Sequence, residues 1–485
     1  MKKIFFQLAP AFLQLPYLLV ENLKNKGNSI EAIGIITGKS SFVKKGQNLF
    51  PNSKSFNDIE KALITANYDL KKVNRYREIF GDEVLNKIII ADRHVGSSYV
   101  NGGTQPNSII EKKVLNNNLT PIIYVVELLD FLIKEFTRIR PDLVFSYAVA
   151  SSLSVALAEV SNYMGIKFIT LTHTRVEDKT IFEKDYNGLL APISELYSKG
   201  NISISSDAKF YLESFLENPT LPNYEIFNLK NLKKNHSYLA LLKNILKFFA
   251  GFVLKDNYLR SNFKDSSINK IKIILRIKFF NVSFSKINLT EKYIYFPLHV
   301  DPEASTMVLS PYHTDQLSII ESISKSIPFD SFLYVKEHIH MMGRRPNGFY
   351  KKIKSLPKVK LISPFEDNFS IIKSANVVIT ITGTTGWEAM ILKTPVIFIG
   401  NSPFITLKKG FIHCQDLSKL TYSFSQIDKI DLCSKDEILK YLSVLFKNSF
   451  SLPSQLLWGE LSLEELDKYK EEINIFSNEF IKQLD

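Results

Sequence analysis

The residues best placed to do chemistry stand in "TITGTTGWEAM", residues 380–390. An apolar run over 377–381 stops at Thr382-Gly383-Thr384-Thr385-Gly386, a short helical pattern follows, and Pro395 opens a second apolar run ending at Gly400. Glycine lets a backbone approach a ligand without interference from Cβ. Thr384 and Thr385 add hydroxyl donors. A helix that starts here turns its unpaired N–H groups and positive dipole end outward, which suits a phosphate or diphosphate. Glu388, read as part of the first helical turn, either caps locally or accepts hydrogen bonds from ribose hydroxyls. The plainer reading is Gly-Thr turn chemistry with a glutamate complementing the helix dipole.

Other polar groups follow other apolar runs. "HVDPE" supplies His299, Asp301 and Glu303, and "KEHIHMMGRRP" supplies Lys336, His338, Arg344 and Arg345. Lys336, Arg344 and Arg345 join Thr382–Gly386 and Glu388 as the expected phosphate and nucleotide side. In the first half of the chain, "ADRHVGSSYVNGGTQ" offers Asp92, Arg93 and His94, "SYAVASS" offers Ser151, and "THTRVED" offers Arg175. Group transfer to a hydroxyl needs a base within hydrogen-bond reach and a means of stabilising the departing phosphate. Asp92, Glu303 and His338 are the acid–base candidates. Arg93, His94, Ser151 and Arg175 are the acceptor-side candidates, Arg175 for an anionic group. For any one of these, a helix cap or a solvated charge is an equally good meaning. Two cysteines, Cys414 and Cys433, make no disulfide framework, and no metal-ligand spacing surrounds them.

Elements must hold these groups. Apolar runs at 4–8, 32–37, 87–91, 143–147 and 167–172 alternate with helical patterns, which predicts a parallel sheet. From 291 the alternation returns: strands at 293–300, 332–336, 358–362, 377–381 and 396–399, with helices near 314–326, 368–374 and 386–392. The expected fold class is therefore α/β with two Rossmann-like domains. The expected division is 1–200, a helical insertion over 201–290, a second sheet domain over 291–433, and C-terminal helices over 434–485 packing back across the domains. Ligands of such sheets bind outside the carboxyl ends of the strands, where the polar groups above all fall.

Of 485 residues, 45% are hydrophobic and 23% charged, the composition of an ordinary globular chain. The formal net charge is +12. Residues 230–286 hold thirteen Lys or Arg against Asp256 and Asp265, a net of +11. A solvated helical face is the commonest meaning of such a segment. An anionic inner-leaflet surface comes next and nucleic acid last, because no aromatic-interleaved motif accompanies it. The N-terminal stretch is interrupted by Gln7, Pro10, Gln14 and Pro16, and reads as strand, turn and helix rather than as a leader. No apolar run reaches the ~18 residues of a membrane span.

Residues 296–400, with "KEH" and "TGTTGWEA", resemble the C-terminal half of bacterial capsule and surface polysaccharide biosynthesis glycosyltransferases, a group that includes Kdo transferases using CMP-Kdo. The resemblance implies a GT-B architecture and a C-terminal domain that holds the donor nucleotide. It implies that Lys336 and His338 line the donor site, that the turn at Gly383–Gly386 takes the donor phosphate, and that Glu388 lies by the ribose. Ile339 stands where the family usually has proline, and the family's Gly-Trp-Gly-type element is absent after 400. These departures bear on the sugar more than on the reaction. The implied partners are a nucleotide-sugar donor as substrate, with no cofactor or metal, and a glycan or lipid-linked glycan acceptor. The implied place is the cytoplasm, with peripheral inner-membrane contact through 230–286. Two other readings share the scaffold: a hydrolysing nucleotide-sugar 2-epimerase, which needs no acceptor site, and a non-catalytic glycan-binding or export scaffold, which needs no nucleotide.

Overall fold

The computed structural model describes residues 1–10, 12–38, 40–92, 119–220, 263–278, 284–458 and 461–484, together with six helical positions between 239 and 249. Strands β1 (Lys2–Leu8), β2 (Ile30–Ile36), β3 (Ser53–Ser55), β4 (Leu143–Ser146), β5 (Lys167–His173) and β6 (Lys179–Glu183) build a first sheet. Strands β7 (Tyr293–Pro297), β8 (Phe332–Lys336), β9 (Val359–Ile362), β10 (Val377–Thr380), β11 (Val396–Phe398) and β12 (Phe411–His413) build a second. β13 (Phe450–Ser451) returns to the first sheet, which is ordered β13-β6-β5-β4-β1-β2-β3.

β1 to β5 run parallel, and β6 and β13 are antiparallel additions at one edge. The second sheet is parallel throughout, ordered β12-β11-β10-β7-β8-β9. Read from its far edge, it is the doubly wound order in which the winding reverses between the first and fourth strands. The sequence dictates burial on both faces. The strands are continuous apolar runs, such as Val377–Thr380 and Val396–Phe398, in which every residue is buried.

The expected strand at 87–91 is not one. Those residues end the helix Leu70–Ile90, where Ile88 and Ile90 are buried and Ile88 clusters with Leu128, Leu129 and Leu132 of the helix Thr120–Ile139. Periodicity cannot separate a short apolar run in a strand from one in a helix. The sheet's edge strand is instead β3, whose Ser-Lys-Ser carries no hydrophobic signal.

The two sheet domains touch along a shared core. Val176, Ile181, Leu190 and Ile193 of the first domain cluster with Trp387, Met390 and Phe404 of the second. Helix Lys435–Lys447 adds Tyr441, Leu442 and Leu445 to that cluster and lies on helices Ala191–Ser198 and Ser206–Glu217. The chain then crosses back to the first domain. Helix Lys470–Ile481 packs on helix Gln14–Asn25, with the Asn22 amide donating to Asn474 Oδ1 (3.0 Å) and to Ser477 Oγ (3.1 Å). Of the basic segment, helix Phe263–Lys278 docks on the second domain: Ile274 is buried, and Arg276 donates to the Gly343 carbonyl (3.4 Å) and to Asn347 Oδ1 (3.0 Å).

Candidate active site

The winding of the second sheet reverses between β7 and β10, so the crevice at the carboxyl ends of these two strands is where a ligand of such a sheet sits. β7 leads to His299 and β10 leads to the Gly-Thr turn, and the two meet there. His299 Nε2 accepts the Ile381 N–H (3.3 Å) and lies 3.3 Å from Thr380 Oγ1. The first domain presents its own carboxyl ends to the same place. Burial pushes the basicity of His299 down to about 3, helped by the charges of Arg175, which follows β5, and of Arg345. Gly188 approaches Leu309 so closely that a Cβ there would lie 2.8 Å from its side chain.

Inside the turn the polar groups divide. The Gly383 N–H donates to Thr380 Oγ1 (3.0 Å), and the buried Thr382 hydroxyl donates to the Ser305 carbonyl (3.4 Å). Both are engaged within the fold, so neither supplies the donor expected of it. Gly383, Thr384 and Thr385 are partly exposed, and helix Thr384–Ile391 starts here. Among the described residues the amides of Thr384 and Thr385 have no backbone acceptor. An anion site at a helix start uses N–H groups left without a backbone acceptor in this way.

Gly386 has a different purpose from the expected one. A Cβ there would lie 2.6 Å from Phe398 Cζ and 3.1 Å from Thr380 Cγ2, so this glycine seats the helix on β10 and β11 and admits no ligand. Glu388 falls beyond the first helical turn. It is buried, and its Oε2 accepts from the Asn368 amide (2.9 Å), whose Oδ1 accepts from Tyr295 (2.6 Å). The Glu388 carboxylate is thus held in place by Asn368.

The loop after β8 also divides. Lys336 and His338 lie on the partly exposed side. His338 Nδ1 accepts the His340 N–H (3.3 Å), and burial pushes its basicity down to about 3, with His340, His299, Arg345 and Lys336 adding to the effect. A ring so weakly basic is a poor proton acceptor at neutral pH, which argues against the acid–base role expected of His338 and leaves it a neutral hydrogen-bonding group.

Arg345 is not a phosphate ligand. It is buried and doubly bonded to Glu337 (Nε 3.1 Å, Nη2 2.9 Å), and it donates to the His299 carbonyl (2.8 Å). Glu337 also accepts from Tyr350 (2.7 Å), so the ion pair is a structural anchor beneath the rim. Asp301 lies 3.9 Å from Arg345 and accepts from Gln316 (3.2 Å); burial raises its proton affinity to about 6. Arg344 is different. It is partly buried, burial makes it a weaker base than usual, and its guanidinium has no hydrogen bond or ion pair among the described residues.

Of the remaining expected residues, Glu303 is exposed, accepts from Ser305 (2.6 Å) and precedes the short helix Ala304–Met307 beside Thr382. Asp92 is buried and accepts from Ser152 (3.3 Å), which is in contact with Tyr124. Ser151 caps helix Ser152–Tyr163 in a reciprocal box with Ser154, so its hydroxyl is a cap. Arg175 is partly exposed, in left-handed backbone (φ 67°), and its N–H donates to His173 Nδ1 (2.9 Å). Arg93 and His94 lie outside the described residues. Sequence reasoning gave no role to His299 or Glu337. Strand alternation held the signal for Glu337: between outward Lys336 and His338, it had to point inward and needed a buried cation.

Two Rossmann-like domains whose strand ends face one crevice define the GT-B architecture. Residues 274–407, which include the second sheet domain through β11, match the family model of capsule polysaccharide biosynthesis proteins. No curated protein sequence matches the chain. Among solved structures, it is similar to the UDP-GlcNAc 2-epimerase of Neisseria meningitidis bound to UDP-GlcNAc (14% identity, 99% of this chain and 100% of that one, TM-score 0.28). It is also similar to a glycosyltransferase of Rickettsia africae (12%, 97% and 98%, TM-score 0.27) and to a beta Kdo 2,4 transferase of Thermosulfurimonas dismutans (11%, 62% and 79%, TM-score 0.34).

Proposed function

We propose that the chain is a glycosyltransferase of capsule or surface polysaccharide biosynthesis. It moves a sugar from a nucleotide-activated donor, CMP-Kdo-like or a UDP-sugar, to a growing glycan or glycolipid in the crevice between its domains. The observation that carries this is the meeting of His299 with the Gly-Thr turn where the second sheet's winding reverses, within the segment matched to the capsule family. The donor's phosphate lies against the Thr384 and Thr385 amides, with Lys336 and Arg344 supplying positive charge as the sugar–phosphate bond breaks. Glu388, braced by Asn368, takes a ribose hydroxyl. Glu303 is the exposed carboxylate beside the turn and receives the proton of the acceptor hydroxyl. Arg175, from the first domain, holds an anionic group of acceptor or donor.

The test is a transfer assay with nucleotide sugars and capsule oligosaccharide acceptors. Acceptor-dependent release of nucleotide is expected, and Glu303→Gln should lower kcat by about 100-fold with donor binding retained. Release of nucleotide and an epimerised free sugar without any acceptor would establish the hydrolysing epimerase instead.

A further inference from the structure

His299 is held at the rim by its own backbone. The Gln316 carboxamide accepts the His299 N–H (2.8 Å) and donates to the His299 carbonyl (3.2 Å), which also accepts from Arg345 Nη2 (2.8 Å). Gln316 is fully buried, and Arg345 is fixed in turn by Glu337. One edge of the ring is committed to the fold. Nε2 accepts the Ile381 N–H (3.3 Å) and stands 3.3 Å from Thr380 Oγ1. That hydroxyl oxygen already accepts the Gly383 N–H (3.0 Å), so its own proton can turn to Nε2.

A ring nitrogen that accepts carries no proton, and a neutral imidazole then bears its proton on the other nitrogen. Nδ1 is therefore an N–H donor. Among the described residues no group accepts from it, and His299 keeps 8% of its surface exposed. A donor at the edge of the interior without a protein acceptor meets water or a ligand. Gly383 lets the ring lie close to the turn: a Cβ there would be 3.1 Å from His299 Cε1, the atom bonded to both ring nitrogens. The Thr384 and Thr385 amides follow in sequence.

We propose that His299 is a catalytic residue whose Nδ1–H donates a hydrogen bond to the phosphate oxygen that leaves the sugar. This rests on the transferase reading above. As the acceptor oxygen bonds to the anomeric carbon, the bond from that carbon to the phosphate oxygen breaks and its electron pair stays on the oxygen. The proton of the acceptor hydroxyl goes to Glu303, and Nδ1 keeps its own. A donor already fixed where negative charge develops stabilises that charge without reorganising. The ring does not act as a charged acid, because burial and the charges of Arg175 and Arg345 oppose a second proton on it.

Two substitutions keep opposite halves of the ring and so separate this role from mere support of the turn. His299→Gln reaches the Nε2 position, where it can accept from Ile381, and leaves nothing at Nδ1. His299→Asn places an amide N–H near the Nδ1 position and leaves Ile381 without its acceptor. If the ring only props the turn, the glutamine variant is the better protein in both melting temperature and kcat. If Nδ1–H acts, the two orders cross. The glutamine variant melts higher, binds nucleotide within about threefold of the parent and loses about 100-fold or more in kcat. The asparagine variant melts lower yet keeps a kcat about tenfold or more above it. A glutamine variant that turns over as fast as the asparagine variant, or as fast as the parent, overturns the proposal. Nitrogen NMR of histidine-labelled protein, with the His299 signals identified by their loss in His299→Gln, should show the proton on Nδ1; a proton on Nε2 overturns the proposal whether or not the asparagine variant folds. A parent that transfers no sugar to any acceptor refutes the transferase reading and this role with it. An active parent beside an equally active glutamine variant refutes the role of His299 alone.

Discussion

His299 shows how a single residue is fixed by its surroundings. Its ring is buried, it accepts a backbone N–H, and two arginine charges lie within reach, so protonation is opposed from every side. Its proton affinity drops from the ordinary 6.5 to about 3 in the folded chain. Above pH 6.5 the ring is neutral in both folded and unfolded states and contributes no pH dependence. Below that pH the unfolded chain binds a proton that the folded chain refuses, so stability falls as pH falls. His299→Gln keeps an acceptor for Ile381 and removes the proton. Denaturant unfolding of the two proteins from pH 8 to 4.5 should give parallel stabilities above about pH 6.5. Below it, the parent should lose up to about 1.4 kcal/mol per pH unit relative to the variant. A constant difference across the range would mean that the ring protonates in the folded state and is not buried as described.

Elements are seated by their smallest residues. Helix Thr384–Ile391 reaches β10 and β11 only because position 386 lacks a Cβ. Gly386→Ala should cost about 1–3 kcal/mol in urea unfolding through the forced shift of Phe398. Adding Phe398→Leu should recover part of that loss, whereas Phe398→Leu alone destabilises. Additive losses would place the clash elsewhere. The same turn shows what the sequence conveys. The alternation of apolar runs and helical patterns made the second domain readable: helix Asn368–Ser374 and strand β8 fall where the pattern puts them, and the other expected strands start within a residue or two of their true positions. The glycine spacing also located the turn. It could not say that Gly386 serves packing, because a ligand and a phenylalanine ring ask the same thing of a glycine. β3, β6, β12 and β13 went unseen, being short or held by partners distant in sequence. Arg345 likewise looked like one of a pair of phosphate ligands until Glu337, inward by strand alternation, was found to hold it.

At the scale of the whole molecule, the second domain supplies the crevice and the first domain closes it. Arg175 comes from the carboxyl end of β5 and the Gly188 contact from the loop after β6, while His299 and the Gly-Thr turn come from the carboxyl ends of the second sheet. Trp387, on the helix that follows the Gly-Thr turn, donates to Tyr211 of helix Ser206–Glu217 (3.4 Å) and packs against Tyr441 of helix Lys435–Lys447, so three parts of the chain meet behind that turn. A ligand bound at Thr384 and Thr385 therefore sits over a junction of the whole molecule, and its binding should be felt as global stabilisation. In the function proposed above, this rim accepts the nucleotide part of an activated sugar. Titration calorimetry with CMP, UDP, GDP and CDP, on the parent and on Lys336→Met and Arg344→Met, tests it most directly. One nucleotide class should bind, with affinity reduced about tenfold or more in each variant; a parent protein that binds none of the four, or binds one equally well without either cation, would contradict the account.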